Sequence, residues 1–358
     1  MTNDNSKNIH KEFYLPAEFE EHEATWISFP KNELTFPKSI INKVEKAYCE
    51  IIRYLSESEK VRILVDDEKQ EFQVQRLLEI NSAYNSNVEF VRIKSCDVWT
   101  RDYLPIFTLS TDKQRLGIVK WVFNAWGNKY DDLIPDNFTG IEVAKRIYEE
   151  KKDKADLFFP DMVLEGGSID SDGKGNLLTS EQCLLNKNRN PQLTKDEVEQ
   201  ALKNYLGVER VIWFKEGIKG DDTDGHVDDF CRFAEKHVLI AQESNSLDSN
   251  FNSLNENLRI LSSYINNYDL NYEIELLPMP DPVYDGNGNR LPASYANFYI
   301  GNKVVLLPVF NSKNDIKALE ILAKSFPNRE IVMINSKELV NGFGGIHCIT
   351  MQQPKLDE

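Results

Sequence analysis

The stretch MVLEGGSIDSDGKGNLLTS, residues 162–180, sets two apolar runs on either side of Asp172-Gly173, a dipeptide that favours the tight turn of a β-hairpin. A second hairpin is expected in ANFYIGNKVVLLPVF, residues 296–310, with its turn at Gly301-Asn302. Hairpins pair their strands antiparallel, so the sheets should be mixed, unlike a doubly wound parallel sheet.

Around these hairpins helix and strand alternate. Apolar residues recur at helical spacing from Lys38 to Ser58 (Ile40, Ile41, Val44, Tyr48, Ile51, Ile52, Leu55), and VRILV at 61–65 follows as a short buried strand. A helix around Phe72 to Leu78 precedes VEFVRI, and GIVKWVFNAW at 117–126 precedes a helix near Val143 to Tyr148. VERVIWF at 208–214 follows a helix opened by Thr194, where Thr194 and Glu197 match a capping box, Leu193 is placed to staple and Gly207 sits at the C-cap. Helices over Leu247 to Ile265 and Asp315 to Ser325 lead into YEIELLPMP and REIVMIN. About five similar β–α units follow one another with no proline- or glycine-rich linker, which favours one closed α/β domain.

Composition narrows the function. The 358 residues carry 42 basic and 58 acidic side chains, a formal net charge of −16, and no basic stripe interleaved with aromatics, so nucleic acid is a poor partner. The N-terminal MTNDNSKNIHKEF is polar, and no apolar run of membrane length follows, so the chain reads as cytoplasmic with no membrane partner. A hydrophobic content of 41% supplies a core and confines disorder to the first ten or so residues. Five cysteines, odd in number and without a C-x-x-C pair, argue against a disulfide framework and a zinc knuckle; most read as small buried hydrophobes.

Strand-like segments end repeatedly in polar clusters: CDVWTRDYLP, LEGGSID, GDDTDGHVDDF and GGIHCIT. These offer Asp102, Glu165, His226, Asp228 and Cys348 as site candidates. Arg101 is the ready ion-pair partner of Asp102, and Gly166-Gly167 lets a ligand or another backbone approach Glu165. On an extended strand His226 and Asp228 share one face, while His347 points away from Cys348 and leaves His226 as the thiol's partner. Asp222, Asp224, His226 and Asp228 also resemble a carboxylate/imidazole set for manganese or iron. A cysteine among glycines, with a His and carboxylates available, fits nucleophilic catalysis, with the glycines leaving room for a substrate to reach sulfur. Three acids near a thiolate raise its pKa unless a cation offsets them, and a planar guanidinium is such a cation. The chemistry these residues point to is deimination.

In order along nearly the whole chain, LPAEFEEHEATWISFP, VWTRDYLP, FNAWGNKY, LEGGSID, DDTDGHVDDF, LPMPDPV, RLPASYANFYI, VLLPVF and GGIHCITMQQP resemble the agmatine deiminase / Porphyromonas-type peptidylarginine deiminase family of the pentein superfamily. The resemblance implies a five-bladed pseudo-symmetric α/β propeller, one catalytic domain over residues 1–358, and a site with neither metal nor cofactor. It implies Cys348 as nucleophile, His226 as general acid/base, Glu165 as the hydrogen-bonding partner of His226, and Asp102 and Asp228 as the guanidinium clamp. Trp99 would cover the substrate's alkyl chain, and Asp222 with Asp224 would attract a terminal ammonium. The small-molecule substrate expected is agmatine, hydrolysed to N-carbamoylputrescine and ammonia. Free or peptidyl arginine is the alternative, a metal-dependent agmatinase or a polyamine-binding protein is less favoured, and homo-oligomerisation stays open. Two departures from the family pattern, Leu104 in place of Gly and Phe29-Pro30 in place of Trp-Pro, are expected to reshape the pocket wall.

Overall fold

Local signals in the sequence become elements with identifiable ends. The computed structural model describes residues 12–357, so the expected disorder of the first ten residues lies outside the described residues. Helix Lys195–Leu206 opens with the Thr194 side chain accepting the Glu197 N–H while Glu197 reaches back to the Thr194 N–H. It stops at Gly207, whose φ of 65° is left-handed and whose missing Cβ leaves space for the Phe13 carbonyl. Helix Ile41–Leu55 buries Val44, Tyr48, Ile51, Ile52 and Leu55 on one face. The helix expected near Val143 to Tyr148 runs Asp136–Lys151: its first turns carry Gly140, packed on the Tyr103 carbonyl, and so lack an apolar periodicity. The expected Leu247 start of another helix falls instead at Phe251–Asn267.

The strands form five separate sheets rather than one closed barrel. In four of them a first strand turns antiparallel into a second, and a helix returns the chain to a third strand parallel to the second. These sets are Ile106–Ser110, Leu116–Val119 and Ala155–Phe158; then Asp170–Ser171, Asn176–Ser180 and Arg210–Phe214. The next two are Cys231–Ala234, His237–Gln242 and Glu273–Pro278; then Tyr299–Ile300, Val304–Val309 and Glu330–Asn335. Both expected hairpins are present, registered Asp170↔Leu178 and Tyr299↔Leu306. The fifth sheet follows the same plan with strands from opposite ends of the chain. Met351–Pro354 lies antiparallel on His22–Ser28, which pairs parallel with Lys60–Val65 and, beyond it, Val88–Arg92.

This plan leaves one connection from the last strand of each set to the first strand of the next: residues 93–105, 159–169, 215–230, 279–298 and 336–350. Asp102, Glu165, His226, Asp228 and Cys348 all fall in these connections. Two local expectations are corrected. Cys348 occupies a turn ahead of strand Met351–Pro354, not a strand end, and Val227–Asp229 is a 3₁₀ turn rather than extended chain. His226 and Asp228 therefore converge through a tight turn and not through strand alternation.

Candidate active site

Asp102 sits on the buried one-turn helix Thr100–Tyr103. Its Oδ2 accepts the Trp126 indole N–H at 2.9 Å and its Oδ1 accepts the Gly167 N–H at 3.0 Å. Arg101 does not pair with it: the guanidinium goes to Glu18 at 3.2 Å and Gln352 at 2.6 Å. Trp126 was not singled out by sequence reasoning. It is delivered by four successive left-handed residues, Ala125, Trp126, Gly127 and Asn128, with φ of 50°, 53°, 88° and 59°. Such a run costs about 1–2 kcal/mol per non-glycine residue and persists only where packing enforces it; here Asn188 closes directly on Gly127.

His226 is buried between two acids, with Nδ1 3.8 Å from Asp102 and Nε2 3.9 Å from Glu165. Burial opposes a charged imidazole, but Asp102, Cys183 and Glu165 prevail and hold its pKa well above the usual histidine value. Burial likewise works against an ionised Glu165, yet Arg189 and His226 keep it below the ordinary carboxylate range. Arg189, another residue the sequence did not reveal, donates to Glu165 at 2.6 Å and to Asp224 at 2.8 Å. Asp224 is also paired with Lys129, so it is committed to cations of the protein and does not await an ammonium. The metal set Asp222, Asp224, His226 and Asp228 is not assembled. Among the described residues, the donor groups here that approach one another closely are Glu165, Cys183 and His226, and separately Asp228, Asp229 and Cys348.

Cys348 places Sγ 3.8 Å from Asp228 Oδ2, 3.3 Å from Asn297 Nδ2 and 3.4 Å from the Gly345 N–H. Burial first, then Asp228, Asp229 and Asp102, push the thiol well above its usual pKa. The sulfur thus faces acids, as a site for a cation requires. His347 turns from it as expected and instead donates to Asp228 at 2.7 Å. Glycines make this density of groups feasible: a Cβ on Gly167 would stand 2.6 Å from His226, 3.0 Å from Asp102 and 3.1 Å from Asp228. Gly344 and Gly345 were expected to clear a path for substrate. The room they leave is taken by the Trp99 ring and the Asn297 side chain. At this site Asp228 Oδ1 and His226 Nε2 are buried and have no hydrogen-bond partner among the described residues.

A cavity of about 270 Å³ opens onto Asp102 and Cys348, walled by Trp99, Trp126, Leu133 and Phe343. It is also lined by Asp132 and Asp222 and, among the described residues, by no Lys, Arg or His. Asp222 accepts a hydrogen bond from Tyr130, and burial raises its pKa to about 6. Leu104 and Phe29 are not part of the lining, contrary to expectation; both are buried in the core, with Phe29 against Tyr48 at 5.7 Å.

The family description Porphyromonas-type peptidyl-arginine deiminase matches residues 14–354. An agmatine deiminase of Pseudomonas aeruginosa is 35% identical over 372 residues, 99% of each chain. The agmatine deiminase of Enterococcus faecalis superposes with a TM-score of 0.85 at 29% identity, covering 96% of both chains. A Cys-to-Ser variant of the C. jejuni agmatine deiminase with substrate bound gives 0.84 at 30% identity, covering 96% of this chain and 97% of that one. With a match running almost from end to end, the chain belongs to the Porphyromonas-type peptidyl-arginine deiminase family.

Proposed function

We propose that the chain is an agmatine deiminase, hydrolysing agmatine to N-carbamoylputrescine and ammonia, with Cys348 as nucleophile. The observation that carries this reading is the cavity lining: acids, apolar walls and, among the described residues, no cation. Asp102 and Asp222 are separated by the rings of Trp126 and Tyr130, whose centroids are 5.8 Å apart. That spacing of charge around an apolar middle suits a guanidinium and an ammonium joined by an alkyl chain, with Trp99 along it. The α-carboxylate of arginine would meet no positive partner, and burying it unpaired costs several kcal/mol. The relatives' names support the same substrate.

In the reaction Asp102 and Asp228 clamp the guanidinium, whose charge offsets the acids that hold the thiol protonated. As the cation settles, the thiol releases its proton to solvent; Sγ then attacks the guanidino carbon, and the protonated His226, oriented by Glu165, gives its own proton to the departing ammonia. The thiouronium carbon is then attacked by water, which gives its proton to the now neutral His226; collapse frees the ureido product and restores the thiol. No step uses a metal or cofactor. The five sheets of common plan fit five blades of a pseudo-symmetric propeller, a single catalytic domain over 1–358 whose connections face a common axis. The unpaired thiols suit the reducing cytoplasm.

Incubation with agmatine and mass spectrometry of the products tests the reading. N-carbamoylputrescine and ammonia are expected; putrescine and urea would transfer the case to a metallohydrolase. Comparable kcat/KM on arginine or an arginine peptide would replace the substrate and keep the chemistry.

A further inference from the structure

Asn297 is the penultimate residue of the connection at 279–298, and its side chain is buried against the nucleophile. Its Oδ1 accepts the His347 N–H at 2.9 Å, which decides the orientation of the amide. Nδ2 is then left to donate to Asp229 at 3.0 Å and to Cys348 Sγ at 3.3 Å. The Gly345 N–H reaches the same sulfur at 3.4 Å from another side. Two backbone-anchored N–H groups therefore converge on the sulfur, which in its thiol form also lies 3.5 Å from Asn297 Oδ1.

We propose that Asn297 is a catalytic residue, forming with the Gly345 N–H a two-donor cradle for negative charge on the Cys348 sulfur. The reaction it serves rests on the deiminase reading; the stabilisation of the thiolate does not. Charge appears on sulfur twice, when the thiol is deprotonated for attack and when sulfur leaves the tetrahedral carbon as the ureido product forms. Fixed donors aimed at such an atom need no reorganisation when the charge arrives. Asp229 supports the arrangement from behind. Its carboxyl, pushed well above the usual range by burial first and then by Asp228 and Asp221, accepts from Nδ2 and fixes the amide facing the sulfur. The charged and titratable groups facing the thiol are Asp102, Asp228, Asp229 and Tyr48, with His226 beyond Asp102.

The test measures alkylation of Cys348 by iodoacetamide, located by peptide mapping, against pH without substrate, together with steady-state kinetics on agmatine. It uses wild type, Asn297→Ala and Asn297→Asp, the last keeping an acceptor for the His347 N–H while removing the donor. In both variants alkylation at neutral pH should slow about tenfold and its midpoint move to higher pH, because only the thiolate reacts. The kcat should fall on the order of 10²-fold, the loss typical of one such donor, with a smaller change in KM. Wild-type alkylation in whichever variant folds would overturn the cradle, even with kcat reduced, and would leave Asn297 a brace for the loop. A wild type that fails to turn over agmatine would end the deiminase reading, while the alkylation comparison would still decide on Asn297.

Discussion

His347 bridges two buried carboxylates, with Nδ1 2.7 Å from Asp228 and Nε2 2.7 Å from Glu18, so the residue next to the nucleophile serves the clamp and not the sulfur. Glu18 also receives Arg232 at 2.9 Å and Arg101 at 3.2 Å. Burial opposes its ionisation, but Arg232 and His347 keep it well below the carboxylate range. Replacing His347 with Asn takes the close partner from buried Asp228, a defect that typically costs about 3–5 kcal/mol, while Glu18 keeps Arg232 and Arg101. Urea melts should register that loss, and kcat/KM should fall tenfold or more as Asp228 drifts; an unchanged melt would show the His347 pairs to be dispensable.

Cys348→Ser is expected to abolish turnover with the melting curve intact. Trapping with a reactive guanidine analogue and peptide mapping should place the adduct on Cys348. An adduct on Cys49, Cys96, Cys183 or Cys231, or more than a few per cent of residual activity, would reassign the nucleophile. Dialysis against EDTA should leave the wild-type rate unchanged.

Asp222→Asn should raise KM for agmatine with little effect on a butylguanidine that lacks the terminal ammonium. The charge-assisted contact removed is partly enclosed and bears on binding alone, so a loss of about tenfold to a hundredfold in kcat/KM is expected for the charged tail. Equal losses on both compounds would mean that Asp222 shapes the wall through Tyr130 and does not read the tail.

The five candidate side chains were legible because Cys, His and closely set acids beside glycines are rare combinations, and each cluster sits in one short run of sequence. What closes around them was not. Trp126, Arg189, Glu18 and Asn297 act on partners contributed by other connections, and no local period announces a contact between residues so far apart in sequence. Asp222 and Asp224 looked equivalent by spacing; only the arrival of Arg189 and Lys129 at Asp224 separates them. The helices and hairpins were readable from capping and turn chemistry, whereas the Met351–Pro354 pairing with His22–Ser28 depends on both ends of the chain.

Lys120 gives a stability prediction independent of catalysis. Its buried Nζ donates to the Trp121 carbonyl and to Asn137 at 3.0 Å, and burial lowers its pKa from 10.5 to about 7. Between those two values the unfolded chain binds more protons than the folded one, so stability from this group rises with pH through the window and is lowest below about 7. Lys120→Met should therefore stabilise the protein most at acidic pH, by about 1–3 kcal/mol, with the advantage shrinking toward pH 10. Parallel urea titrations across that range check it; a gap that grows with pH would contradict the assignment.

The fifth sheet, assembled from both ends of the chain, also says where else the chain could begin. The Glu12 carbonyl accepts the Thr111 N–H at 3.0 Å and the Lys113 carbonyl accepts the Asp357 N–H at 3.0 Å, so both described ends are tied to one turn. A short peptide joining them, with new termini cut at Gly286–Gly288, where added side chains would meet nothing within 4 Å, would make a circular permutant with every sheet preserved. In that molecule the most distant strand pairing would become one of the nearest. Because closing a long loop slows folding, it should refold faster in stopped-flow experiments and still turn over substrate, the same five sheets entered at another door.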